Sequence, residues 1–234
     1  MSEPSFARVK QTFEQRSMYD AVVEGGYMFH SELVSKLAAW AKEQSPPLRI
    51  VDLGCGDSWL ATHAFAEANV AEYHGVDVSE ASVADAQKRI AIWPGRASVV
   101  AGNMAEFLRS IASESATAIL ASYTIHHFSS NAKIALLADC FRVLVPGGTL
   151  IWIDAVRRPE DSREDYLQRL TQDMDRDWTA LTPDQRAVAC AHVLESDFPE
   201  TATWMTQTTE AAGFECNTAI LDTPYFRGWL FKKR

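Results

Sequence analysis

Between Leu48 and Val156 the chain alternates short apolar, β-branched runs with amphipathic stretches at helical spacing. LRIVDL, EYHGVDV, ASVVAG, ATAILASY and GTLIWIDAV read as strands, and WLATHAFAEA, ASVADAQKRIAIW, MAEFLRSIA and KIALLADCFRVL as the helices between them. Strands that apolar are buried on both faces, and a strand–helix–strand crossover is right-handed. The pattern therefore leaves little choice but an α/β fold with a doubly wound, mostly parallel sheet.

The flanks complete it. Residues 1–45 read as two helices with an irregular joint at Gly25-Gly26, and Ser45-Pro46-Pro47 stops the second. After Val156 the rhythm breaks. Residues 157–199 are charged, carry no strand pattern and form a helical insertion after strand five. Residues 200–234 supply a last helix ending at Gly213, then FECNTAILD and YFRGWLFKK, joined at Thr223-Pro224 tightly enough for an antiparallel edge hairpin. We read residues 1–234 as a single domain: a lid (1–45), a core (48–156) carrying most of a seven-stranded sheet, the insertion, and the closing helix and hairpin.

Charge narrows the partners. Acidic residues number 31 against 22 basic, a net charge of −9, which disfavours a nucleic-acid partner. No apolar run approaches the roughly 20 residues that span a bilayer, and MSEPSFARVK lacks a signal-peptide core. A cytoplasmic location and no membrane partner are expected. Cys55, Cys140, Cys190 and Cys216 make no CxxC pair, so no zinc site is indicated.

The chemistry begins at Val51-Asp52-Leu53-Gly54-Cys55-Gly56-Asp57, between the first strand and a helix. Glycines there allow a sharp turn and let a ligand lie against the backbone. Asp77 ends the second strand, where a carboxylate can accept both hydroxyls of a ribose. Asn103-Met104 follows the third, where an amide and an apolar side chain suit an adenine. A nicotinamide-binding loop would carry a third glycine where this chain has Trp59, and Asp52 would repel a pyrophosphate.

With those residues in hand, the segment from Leu48 to Asp154 resembles the class I S-adenosylmethionine-dependent methyltransferases. VDLGCG looks like the family's first motif, VDVS its second, GNM its third, and VLVPGGTLIWID its turn into strand five. The resemblance implies S-adenosylmethionine as donor and S-adenosylhomocysteine as product. It places Asp52, Gly54, Cys55 and Gly56 at the methionine end, and Asp77 and Val78 at the ribose. Asn103 and Met104 then stand at the adenine and Ser122 beyond strand four. Asn103 replaces the usual aspartate.

The acceptor is expected beyond strands four and five, at Ser122-Tyr123-Thr124-Ile125-His126-His127-Phe128. The Asn/Asp-Pro-Pro-aromatic signature of exocyclic-amine methylation is absent. His127 and His126 are the candidate catalytic residues, as general bases; metal ligation is not expected. Arg16, Tyr19, Tyr27, Met28 and Phe29 form the candidate lid, with Tyr19 over the methionine portion. Arg157, Arg158, Tyr166, Trp178 and His192 of the insertion are candidate acceptor contacts. A helical cover of that size favours a small-molecule acceptor, in a monomer or homodimer. The alternatives are a non-catalytic S-adenosylmethionine-binding protein working through a partner, and a protein or RNA methyltransferase.

Overall fold

The computed structural model describes residues 16–45 and 47–234, apart from the side chains at positions 16, 17, 19, 216 and 217. Helices α1 (Arg16–Glu24) and α2 (His30–Lys42) lead into the alternating core. There β1 (Leu48–Leu53), α3 (Trp59–Ala64), β2 (Val70–Asp77), α4 (Glu80–Arg89) and β3 (Ala97–Ala101) come first. They are followed by α5 (Met104–Ser110), β4 (Ala116–Ser122), α6 (Ser130–Val143) and β5 (Leu144–Arg157). The insertion is α7 (Arg163–Asp177) and α8 (Pro183–Ser196). The chain then runs through β6 (Glu200–Thr201), α9 (Ala202–Ala211), β7 (Phe214–Asp222) and β8 (Phe226–Lys233).

The sheet runs β3-β2-β1-β4-β5-β8-β7, parallel through β5 and antiparallel from β8. The expected seven strands form this path, and the two-residue β6 adds an eighth beside the end of β5. In the C-terminal hairpin the last strand lies inside and β7 takes the edge. Apolar layers cover both faces, with Leu33, Leu37, Phe65 and Tyr73 on one and Leu108, Leu136, Trp152 and Phe231 on the other. Strand order reverses between β1 and β4, which opens a crevice at their C-terminal ends.

The insertion is built from strong local signals. Ser162 and Thr182 each make a reciprocal capping box with the third residue of their helix, and Pro183 opens α8. The Arg163 guanidinium donates to the carbonyls of Leu194 (2.9 Å) and Asp197 (2.6 Å), which ties the start of α7 to the end of α8. The chain after α8 is held more firmly still. Buried Lys133 donates to the Phe198 carbonyl and to Glu200 Oε1 (3.1 Å), and Phe198 N–H donates to the His126 carbonyl (2.8 Å).

Candidate functional site

One cavity of about 240 Å³ opens at the crevice and continues under α7 and α8. Asp52, Gly54, Cys55, Gly56, Asp77, Val78, Met104 and Ser122 line it at the sheet end. The two glycines serve different ends. At Gly54 (φ +64°) a Cβ would stand 2.1 Å from Thr124 Oγ1, so glycine is required for the loop to pack. At Gly56 (φ +53°) a Cβ would meet nothing within 4 Å, which leaves backbone bare toward the cavity. Asp77 pins that loop, accepting from Gly56 N–H at 2.9 Å and from Ser79 N–H at 2.8 Å. Val78 N–H adds a third backbone partner, and the carboxylate's remaining lone-pair capacity is what a ligand hydroxyl would use.

Asp52 is buried and accepts from the Tyr73 hydroxyl (2.7 Å), which lies 2.9 Å from Ser58 Oγ. Burial pushes its pKa up to about 7, Tyr73 opposing and Asp77 reinforcing the shift. Asn103 behaves differently from expectation. Its Oδ1 caps α5, accepting from Ala105 N–H (2.8 Å) and Glu106 N–H (3.3 Å), and the residue does not line the cavity. Both acceptor positions of the amide oxygen are in use, so only its NH₂ remains for an adenine. Ser122 Oγ is buried without a hydrogen-bond partner and faces the same space.

The covered half is walled by Met28, Leu170, Met174, Trp178, Val193 and Phe226, with His127, His192 and Asp197 among its polar groups. His126 is unavailable as a general base. Its Nδ1 bonds Asp154, its backbone N–H donates to the same carboxylate (3.0 Å), and Nε2 lies 3.4 Å from Asp197 Oδ1. Burial works against its charge, yet Asp197 and Asp154 outweigh that and hold its pKa at about 10. His127 is the opposite. Burial, with the neighbouring His126 charge, lowers its pKa to about 3, and its Nδ1 stands 3.1 Å from the Ser196 carbonyl. His127 is therefore neutral: an acceptor of hydrogen bonds rather than a strong base.

Above the cavity, two of the candidate lid residues make long-range contacts. Tyr27 stacks on Trp178 at 4.8 Å and 5°, and its hydroxyl accepts from Ala180 N–H (2.7 Å). Met28 is gripped by Tyr123, whose left-handed backbone (φ +54°) sends its hydroxyl to the Met28 carbonyl (2.6 Å). The side chains of Arg16 and Tyr19 lie outside the described residues. Phe29 packs against the core. Of the insertion's candidates, Trp178 and His192 line the cavity, whereas Arg157, Arg158 and Tyr166 do not. Tyr166 is buried and donates to the Tyr225 carbonyl at 3.0 Å; Arg157 donates to Asp161 O at 2.7 Å.

Sequence reasoning had Tyr123 within the expected acceptor segment but missed Asp197 and Asp154. Asp154 had a signal, a lone carboxylate closing the apolar run LIWID. Asp197 had none, because its partners are far away in the chain.

Comparison with known proteins agrees with this geometry. Residues 50–148 match the family model described as a methyltransferase domain. A curated carboxy-S-adenosyl-L-methionine synthase of Alteromonas mediterranea is 26% identical over 72% of this chain and 70% of its own length. Its counterpart in Shewanella pealeana is 24% identical, over 67% of this chain and 65% of its own, slightly under two thirds. Among solved structures, the YcgJ protein of Bacillus subtilis superposes with a TM-score of 0.57 at 20% identity, covering 79% of this chain and 71% of that one. That last likeness is one of fold.

Proposed function

From the methyltransferase-domain match over residues 50–148 and the likeness to two carboxy-S-adenosyl-L-methionine synthases, we propose that the chain is a class I S-adenosylmethionine-dependent methyltransferase whose acceptor is a small molecule enclosed beneath α7 and α8. The observation carrying this is the continuity of one cavity from the glycine loop to the walls formed by the insertion. When bound, S-adenosylmethionine supplies an activated methyl group that a nucleophile takes by direct displacement. The protein's part is to bind, align and exclude water.

The residues fit the donor. Gly56 offers bare backbone, Asp77 offers a cavity-lining carboxylate, and Ser122, whose Oγ has no hydrogen-bond partner, lines the same cavity. Asp52 suits a cationic amine, and Met104 covers an apolar ring. On the acceptor side, Met28, Trp178 and Phe226 make an apolar wall, and neutral His127 receives a hydrogen bond from the acceptor's O–H or N–H. Tyr27 and Tyr123 hold the N-terminal segment closed over both halves.

The two curated relatives suggest a second reading, in which the product is a carboxylated donor. A carboxylate on the donor calls for a guanidinium or ammonium partner. Among the described residues lining the cavity there is no Lys or Arg, so methyl transfer is the better reading. The test is incubation of the full chain with methyl-labelled S-adenosylmethionine and a small-molecule extract, resolved by mass spectrometry. Label in a small product supports the proposal. Label only in protein or RNA, or a carboxylated donor, overturns it.

A further inference from the structure

His126, His127 and Asp197 meet at the floor of the covered half. We propose that these three residues bind one divalent transition-metal ion of the zinc, iron(II) or cobalt class. Asp197 Oδ1 lies 3.4 Å from His126 Nε2 and 3.4 Å from His127 Nδ1, and one ligand atom from each residue falls within 4.8 Å of the others. Those separations exceed an N–H···O hydrogen bond of about 2.7–3.2 Å. They match the edge of a tetrahedron around an ion with bonds of about 2.0–2.1 Å, where neighbouring ligand atoms sit about 3.3–3.4 Å apart.

A second observation is independent of that spacing. Asp197 is 4% exposed, and its Oδ1 has no hydrogen-bond partner. Its nearest cation is the His126 imidazolium at 3.4 Å, beyond hydrogen-bond length, and a bound divalent ion would replace that long contact with a direct bond. Burial of two carboxylates, Asp154 and Asp197, around one imidazole also leaves an excess of negative charge that a divalent ion cancels.

The surroundings are those of a metal centre. Asp154 bonds His126 Nδ1 and so aims Nε2 at Asp197, the carboxylate–histidine arrangement that orients metal ligands. Asp197 is itself held in place, because Arg163 binds its carbonyl and Lys133 that of Phe198. Two imidazoles and one carboxylate select a transition ion over magnesium or calcium, which take oxygen ligands. Binding releases the Nε2 proton of the charged His126 to solvent and shifts the single proton of neutral His127 from Nδ1, where it faces the Ser196 carbonyl, to Nε2, so both rings ligate as neutral imidazoles. All three residues line the cavity, so the remaining coordination positions face the acceptor. What the ion does there rests on the acceptor proposal above: it would ligate an acceptor oxygen and acidify its hydroxyl.

The test does not need the acceptor. The chelator-stripped full chain is titrated with Co²⁺ and followed by visible ligand-field absorption, with S-adenosylhomocysteine calorimetry on the same samples. Saturable bands at one equivalent are expected. Asp197→Asn and His127→Gln, which remove ligands, should each weaken Co²⁺ at least about 100-fold. Asp154→Asn, which only orients one, should weaken it about 10–100-fold. S-adenosylhomocysteine binding should persist in all three variants and shows that they are folded. Absence of saturable bands in the wild-type chain overturns the proposal. So does unchanged Co²⁺ affinity in an Asp197→Asn or His127→Gln chain that still binds S-adenosylhomocysteine. Failure of the wild-type chain to bind S-adenosylhomocysteine would instead count against the donor site, and the Co²⁺ titration would still decide the metal.

Discussion

Removing the Asp77 carboxylate tests the donor site most directly. In Asp77→Ala the loop loses the acceptor that holds Gly56 N–H at 2.9 Å, and the cavity loses the carboxylate proposed to take the two ribose hydroxyls. A hydrogen bond to a charged group contributes about 1.5–3 kcal/mol. Asp77 is only half-buried, so water can replace part of each contact and the low end applies. Two such bonds give about 3 kcal/mol, or a rise in Kd of roughly 150-fold. Asp77→Asn keeps one oxygen and loses the charge, and should fall between, near about 10-fold. Ser79→Ala is the control. It removes the cap that accepts Ser82 N–H at the start of α4 and costs about 1 kcal/mol of stability, while leaving the ribose contacts. Calorimetry with S-adenosylhomocysteine, alongside thermal melts of each variant, reads all three. A folded Asp77→Ala protein that binds within about threefold of wild type would refute the ribose assignment.

The two loop glycines should separate folding from binding. Gly54→Ala forces a Cβ to 2.1 Å from Thr124 Oγ1 in a left-handed conformation, and should cost about 3 kcal/mol, a Tm drop of roughly 6–12 °C. Gly56→Ala should lower Tm by only a few degrees, since its cost is about 1 kcal/mol, yet weaken S-adenosylhomocysteine strongly; equal melting losses would show that the loop was misread. Asp52 gives a pH dependence. Its pKa is about 7 in the free protein, and it faces Tyr73 and Cys55, both kept neutral by burial, and Asp77. A cationic ligand amine favours its ionised form, so affinity should fall as pH drops from about 8 to about 6, and Asp52→Asn should flatten that slope. A flat wild-type profile would detach Asp52 from the amine. The N-terminal segment should close over ligand. Hydrogen exchange across residues 16–29 should slow with S-adenosylhomocysteine, and Tyr27→Phe, which loses the bond from Ala180 N–H, should reduce the slowing. Identical exchange with and without ligand would reduce this segment to packing.

The alternation that implied a parallel sheet was readable because strands buried on both faces must be apolar and their connecting helices must show one apolar stripe. Asp77 stood out for a related reason, as a carboxylate closing such a run, while its hold on the Gly56 loop was not visible in the sequence. The glycine loop was legible as a turn, but the reason for Gly54 was hidden, since Thr124 approaches it from strand four's loop. The sequence did not show that the Asn103 amide oxygen is committed to capping α5, which leaves only its NH₂ for an adenine. His126 and His127 were found as a pair, but their opposite protonation states depend on Asp154 and Asp197, which only the fold brings to them.

That contrast divides the protein by function. The proposed donor half is made by residues next to one another at consecutive strand ends, so local patterns point to it. The proposed acceptor half is made by long-range contacts: Arg163 to Asp197, Lys133 to Phe198 and Glu200, Tyr27 to Trp178 and Ala180, Tyr123 to Met28. Its shape depends on how α7 and α8 are tied to the core rather than on any motif within them. Changes in the ties made by Arg163 and Lys133 should therefore move acceptor binding while leaving the donor's Kd in place. Arg163→Ala makes the point. It frees the last carbonyls of α8 and the Asp197 segment, some way from Asp77 and Gly56 in the chain, so S-adenosylhomocysteine affinity should stay near wild type. The stacking of Tyr27 on Trp178 depends on the same cover. Faster exchange in residues 183–199 of Arg163→Ala, with donor affinity unchanged, is the expected result; a loss of donor affinity would mean that the two halves are not independent.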